Sequence, residues 1–335
     1  MKIITAFAVF VIIFCPIAAA QEYSFSVEPQ FGIYYAQAEE IVYPSASRYP
    51  LKSKGDLLSQ LLWDIKPLYY YGIRCNYSLD LPKAADGFFS SLTIRTAIPG
   101  LSGVMEDRDW RSIQNNNLTD YSSHDNHTDF FLWADFSAGF SFAVRPKLFI
   151  KAQLAFSYMN FCFSGMNGKG TYARETSYQS GIFSPITVNP RIVTFTGQVI
   201  SYSQEWFCLL PGVSVEYKFF NVFSGELLFQ ISPLNFCNDT DKHYKTAPVS
   251  LYKDYLFGGL FIEPRLTFTF SPVKQFGVSL ETAYRYIVGT KGLAYYRSLG
   301  TGADFTGASD VFDRAGEAGA GLKLFDCAVM VKIRL

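Results

Sequence analysis

The chain has 335 residues and a formal net charge of zero, with 29 basic and 29 acidic residues that form no charge run, so nothing in it argues for nucleic acid. Aromatic residues make up 17%, high for a soluble enzyme with so few helical patterns. After residue 20 no run of about 18 apolar residues occurs, which excludes an ordinary membrane-spanning helix.

Met1–Ala20 reads as a secretory signal: Lys2 forms a short basic start, Ile3–Cys15 is apolar, and Ala18-Ala19-Ala20 is a small-residue cleavage site. Residues 21–335 then form a single domain. From there apolar and polar or small residues alternate to the end, the mark of a strand with two unlike faces. Ten such segments are expected, at 24–37, 57–78, 88–99, 129–143, 148–166, 194–218, 220–236, 256–272, 275–290 and 316–335. The clearest sets Phe276, Val278, Leu280, Thr282, Tyr284 and Tyr286 against Gly277, Ser279, Glu281, Ala283 and Arg285. Short connections near 79–87, 144–147, Asn221 and 272–275 alternate with long polar loops at 38–56, 100–128, 167–193, 237–255 and 291–315.

An even strand count, short turns at one end and long loops at the other predict an all-β fold, a ten-stranded antiparallel transmembrane β-barrel. Glu263, Arg265, Glu281 and Arg285 fall on the small-and-polar face, which suits a wet interior and could hardly fill the dry core of a soluble sandwich. Pro67, Pro211 and Pro264 each remove a ladder donor and call for a bulge. The cysteines past residue 20 (Cys75, Cys162, Cys208, Cys237, Cys327) lack metal-ligand spacing and are expected to be buried or lipid-facing thiols, with one disulfide left open.

Two islands carry chemistry: Asp107-Arg-Asp109-Trp110 and Asp239-Thr-Asp241-Lys-His243-Tyr244. In an extended chain alternate side chains share a side, so Asp107 pairs with Asp109, while Asp239, Asp241 and His243 line one face. Histidine is the usual base near neutral pH, and Asp241 or Asp239 could orient His243 by accepting its N–H. Crowding of Asp107 and Asp109 should raise the pKa of one of them. If the two loops meet, a carboxylate pair faces an Asp-backed imidazole, a plausible machine for activating water. An oxygen-rich Ca²⁺ loop is the rival, but His243 is a poor ligand for it and no glycine-punctuated loop accompanies the acids.

The chain resembles the omptin family of outer-membrane aspartate/histidine proteases over nearly its whole mature length. Met105-Glu-Asp107-Arg-Asp109-Trp110 is similar to the family's Met-x-Asp-x-Asp-Trp, and Asp239 to Tyr244 to its Asp-x-Asp-x-His-Tyr. Ser59-Gln-Leu-Leu-Trp63, the stretch from Gly32 to Tyr43, Thr119-Asp120 through His124, Gly292 and Gly319-Ala-Gly-Leu322 also fit. The resemblance implies catalytic Asp107, Asp109, Asp241 and His243, with water activated by the Asp241–His243 pair and no covalent intermediate. It also implies substrate-binding Glu40 and Asp239 in the S1 pocket and Asp120 at S1′, hence an aspartic-type endopeptidase cutting next to or between basic residues. Ser122 falls where some members have a serine, but no pattern sets a base beside it. Alternation should turn Arg108 and Lys242 away from the cleft.

No cofactor or metal is expected. Family members use lipopolysaccharide, yet Phe156-Ser-Tyr158-Met-Asn160-Phe161, which should hold part of that site, carries no charge. The expected partners are basic peptides or proteins and outer-membrane lipid, for a monomer in the bacterial outer membrane with its site facing the exterior. The alternative is a catalytically inactive barrel serving as adhesin or surface structural protein. A porin is disfavoured because side chains largely fill so narrow a barrel.

Overall fold

The alternating segments become strands whose two faces separate by chemistry. A computed structural model describes residues 23–45, 49, 51–53, 55–81, 87–301, 306–308 and 311–335, and the expected signal segment lies outside them. Fifteen strands are described: β1 (Tyr23–Tyr43), β2 (Ser59–Asp80), β3 (Gly87–Ala97), β4 (Gly100–Asp109), β5 (Asp120–Arg145), β6 (Leu148–Tyr172), β7 (Arg191–Thr194), β8 (Gln198–Phe220), β9 (Phe223–Ser232), β10 (Asn235–His243), β11 (Ser250–Phe257), β12 (Leu260–Val273), β13 (Phe276–Thr301), β14 (Thr306–Ala308) and β15 (Asp313–Arg334). All pairings are antiparallel. They run from β1 through β2, β3 with β4, β5, β6, β8, β9 with β10, β12 with β11, β13 and β15 back to β1.

The split pairs arise where the backbone turns aside. Between β11 and β12 Gly258 and Gly259 have φ of 83° and 77°, a left-handed conformation that disfavours side chains. A Cβ on Gly259 would also lie 2.6 Å from the Val288 carbonyl oxygen. Below such breaks lie stretches long enough to cross a bilayer, which takes about 9–11 tilted residues. Above them the ladder continues as the β4–β5 and β10–β11 hairpins.

Phe31, Tyr71, Leu154, Phe229, Phe268, Leu280 and Val329 point outward and are exposed, while Glu263, Arg285, Glu281, Arg95 and Asp326 point inward and are buried. This orientation belongs to a barrel in lipid and rules out the soluble sandwich. The wet interior is corrected at mid-barrel, which holds a dry lattice of ion pairs. Arg95 bonds Asp326 at 2.8 Å and Glu281 at 2.9 Å, Glu281 also takes Arg74 at 2.8 Å, and Glu263 is shared by Arg265 and Arg285. Burying an ion costs several kcal/mol unless it is multiply bonded, which is why each carboxylate serves more than one partner. A polar cavity of about 480 Å³ opens near the short turns, lined among others by Glu28, Arg74, Lys151 and Glu226.

Above the lattice, aromatic side chains bridge the lumen. Trp63 stacks on Phe163 at 5.6 Å and on Tyr202 at 5.4 Å, and all three rings are buried. Of the prolines, only Pro67 sits at a bulge, where β2 slips against β1. Pro211 and Pro264 instead lie where the neighbouring ladder has a gap, Pro211 between the β9 and β10 pairings and Pro264 opposite β13. A missing N–H therefore costs no ladder bond there. All five described cysteines are free thiols.

Candidate functional site

The two islands lie on strands. The expected loops 100–128 and 237–255 are corrected: β4, the start of β5, β10 and β11 extend the ladder through most of both. Outside the bilayer both strand faces become polar, so the apolar alternation that marks a strand in sequence disappears while the hydrogen-bonded ladder persists.

On β4, Asp107 and Asp109 share the inward face with Met105, which is buried. Arg108 turns to the other face, where it pairs with Glu106, itself bonded by the Tyr121 hydroxyl at 3.0 Å. Burial, then the neighbouring Asp109, hold Asp107 well above the usual carboxylate range. Asp109 is pushed up to about 6 by burial and then by Asp120, against the pull of Arg111 and the Ser59 hydroxyl.

On β10, Asp239 and Asp241 are buried, and His243 bonds Asp241 Oδ2 through Nε2. Burial alone would lower the imidazole, but Asp241, followed by Asp107 and Asp109, outweighs it and raises His243 to about 9. The islands therefore lie within electrostatic reach of each other: the β4 carboxylates act on His243, and its charge acts back on them. Tyr252 from β11 sets its ring edge-on to the imidazole at 5.7 Å. Lys242 lies off this face, over the Tyr244 ring at 4.6 Å.

Beside this pair is a second acidic pocket. Glu40 from β1 and Asp239 from β10 come together with Asp254 of β11, the cross-strand partner of Asp239, and their carboxylate oxygens lie within 4.8 Å of one another. All three are buried, and Glu40 Oε2 and both Asp254 oxygens have no hydrogen-bond partner. Tyr202 donates to Asp239 at 3.2 Å. Burial and mutual repulsion hold Glu40 and Asp239 well above the usual range, while burial and then Asp241 push Asp254 to about 7. Such a pocket favours a cation, and the same oxygens could hold a hard divalent ion. Asp254 carries no sequence signal, because it stands alone in a polar stretch whose partners are distant.

Asp120 has a counter-ion of its own. It is buried beside Asp109, but Arg111 bonds its Oδ2. The acid expected at S1′ is therefore already paired with a cation from its own chain, nine residues away. Ser122 departs from expectation, because a base does stand beside it. His124 Nε2 is 2.8 Å from Ser122 Oγ, two residues on along the same strand face.

The Omptin family model matches residues 21–311. The plasminogen activator of Yersinia pestis is 25% identical over 257 residues, 72% of either chain. The crystal structure of the outer membrane protease OmpT from Escherichia coli superposes with a TM-score of 0.78, at 18% identity over 93% of this chain and 97% of that one. At that identity the structural likeness speaks for the fold alone.

Proposed function

The chain belongs to the omptin family, an outer-membrane protease by that membership, and we propose that it cuts peptide bonds next to or between basic residues with water activated by Asp241 and His243. The observation that carries this reading is the convergence above the membrane of an Asp-bonded imidazole with two acids from a remote strand. Neutral His243 takes the proton of a water as that water attacks the peptide carbonyl, and Asp241 stabilises the imidazolium that forms. Asp107 and Asp109, one of them carrying a proton, orient the water and donate to the developing oxyanion. His243 then returns its proton to the leaving amine, so no acyl-enzyme forms.

Glu40, Asp239 and Asp254 receive the basic side chain of the substrate. A buried acid left without a partner gains more from a cation than from any neutral group. The reaction so written needs no metal. Nor does the reading invoke lipopolysaccharide.

The test is cleavage of a quenched peptide with one Arg-Arg bond by the full chain refolded in detergent, with and without lipopolysaccharide. His243→Ala and Asp107→Ala should each lose at least about 100-fold in kcat, in line with removal of a general base or an oxyanion donor. Undiminished turnover in His243→Ala would remove the base. A folded wild-type barrel that cuts no basic peptide, yet binds cells or matrix, would favour the adhesin reading.

A further inference from the structure

The contact between Ser122 and His124 has a defined direction. His124 Nδ1 bonds the backbone carbonyl oxygen of Asn167, an atom that can only accept, so the ring proton sits on Nδ1. Nε2 is therefore an acceptor, and the proton in the 2.8 Å contact belongs to the Ser122 hydroxyl. Once that proton is committed, Ser122 Oγ can serve any other neighbour only as an acceptor.

The neighbour is Asp107. In the β4–β5 ladder Asp107 lies directly opposite Ser122, and directly opposed side chains have Cβ atoms about 4.5–5.5 Å apart. The chain is shaped to hold this arrangement. Asn167 and Gly168 have φ of 54° and 107°, and a Cβ on Gly168 would lie 2.0 Å from the Ser123 carbonyl oxygen and 2.7 Å from His124 Nδ1. Only glycine lets the 167–168 turn close over the ring. Phe195 packs on the imidazole at 5.3 Å, Met105 stands opposite it in the ladder, and both Ser122 and His124 are buried.

We propose that His124 is a positioning residue of the hydrolytic site: by taking the Ser122 proton it fixes that hydroxyl as an acceptor for the Asp107 carboxyl group and so sets the orientation in which Asp107 meets the attacking water. The proposal rests on the reading of Asp107 and His243 given above. Burial lowers the pKa of His124, which keeps the ring neutral and the polarity of the relay fixed. The same three groups could be drawn as a serine nucleophile with its base. Against that, Ser122 lies inside a strand paired on both sides, to β4 and β6, so its own backbone is committed to ladders and not to an oxyanion hole.

The experiment is a double-mutant cycle in the full refolded chain, with heat-modifiable gel mobility reporting the folded barrel. His124→Phe keeps the packing on Phe195 but cannot accept a proton. Ser122→Ala and His124→Phe should each lower kcat by about 10- to 100-fold, the scale of a misplaced catalytic group, with KM within about twofold. The double variant should be no slower than the slower single one, and Ser122→Thr should restore most of kcat. Additive losses in the cycle, or an unchanged kcat in folded His124→Phe, overturn the proposal, as does labelling of Ser122 by a fluorophosphonate. Should His124→Phe not fold, ¹⁵N NMR of the histidines in the wild-type protein decides: an Nδ1–H tautomer at His124 supports the relay, and an Nε2–H tautomer overturns it. Full activity in His243→Ala or Asp107→Ala would instead mark failure of the hydrolytic reading itself.

Discussion

Replacing Asp241 with Asn tests the electrostatics of the site most directly. In the wild type Asp241 is the largest influence raising His243, which stands at about 9 instead of the ordinary 6.5. That difference amounts to about 3 kcal/mol in favour of the imidazolium, at roughly 1.4 kcal/mol per pH unit. A raised histidine pKa stabilises the folded protein fully below the unfolded value and loses that contribution as pH climbs through the folded one, so the stabilisation should fade above pH 6.5 and be gone past about 9. The base, by contrast, works only when neutral. Wild-type kcat/KM should therefore rise with pH until about 9, and Asp241→Asn should move that limb back toward 6.5. The asparagine no longer supports the imidazolium, so the plateau should also fall by about 100-fold or more. Histidine NMR titration reads the same shift without turnover, since the chain has only His124, His127 and His243 to assign. A His243 that titrates at its wild-type pH in Asp241→Asn would refute the reasoning.

Asp254→Asn should raise KM for peptides with a basic P1 residue by about 30-fold or more, since losing one member of a buried charge pair costs about 2–5 kcal/mol; a neutral P1 peptide, assayed in parallel, should change little. Arg111→Ala uncovers Asp120 and should create a preference for a cation on the far side of the scissile bond, read from cleavage of a peptide library; an unaltered library profile would mean that Asp120 does not face substrate. Glu281→Gln breaks the mid-barrel lattice, taking the carboxylate from Arg74 and leaving Arg95 with Asp326 alone, so urea unfolding in micelles should show a loss of about 3–5 kcal/mol, with kcat per folded molecule retained. Chelation with EDTA should leave cleavage unaltered; a loss restored by added Ca²⁺ would assign the Glu40, Asp239 and Asp254 pocket to an ion.

What the sequence decided by itself is local. Alternation along residues 276–286 makes a strand and sorts its two faces, because a strand's side-chain period is a property of its own backbone. The spacings of Asp107 with Asp109 and of Asp241 with His243 place each pair on one side for the same reason. Only the closed ladder could bring β1 against β10 and β11, so that Glu40 meets Asp239 and the unmarked Asp254 across the lumen. The register of neighbouring strands, β4 on β5 and β5 on β6, gave Asp120 to Arg111 and carried the Asn167 carbonyl to His124 over 43 residues. Partnership among charges depends on which side chains lose water together, and that is set by register and closure between distant strands, which no local pattern encodes.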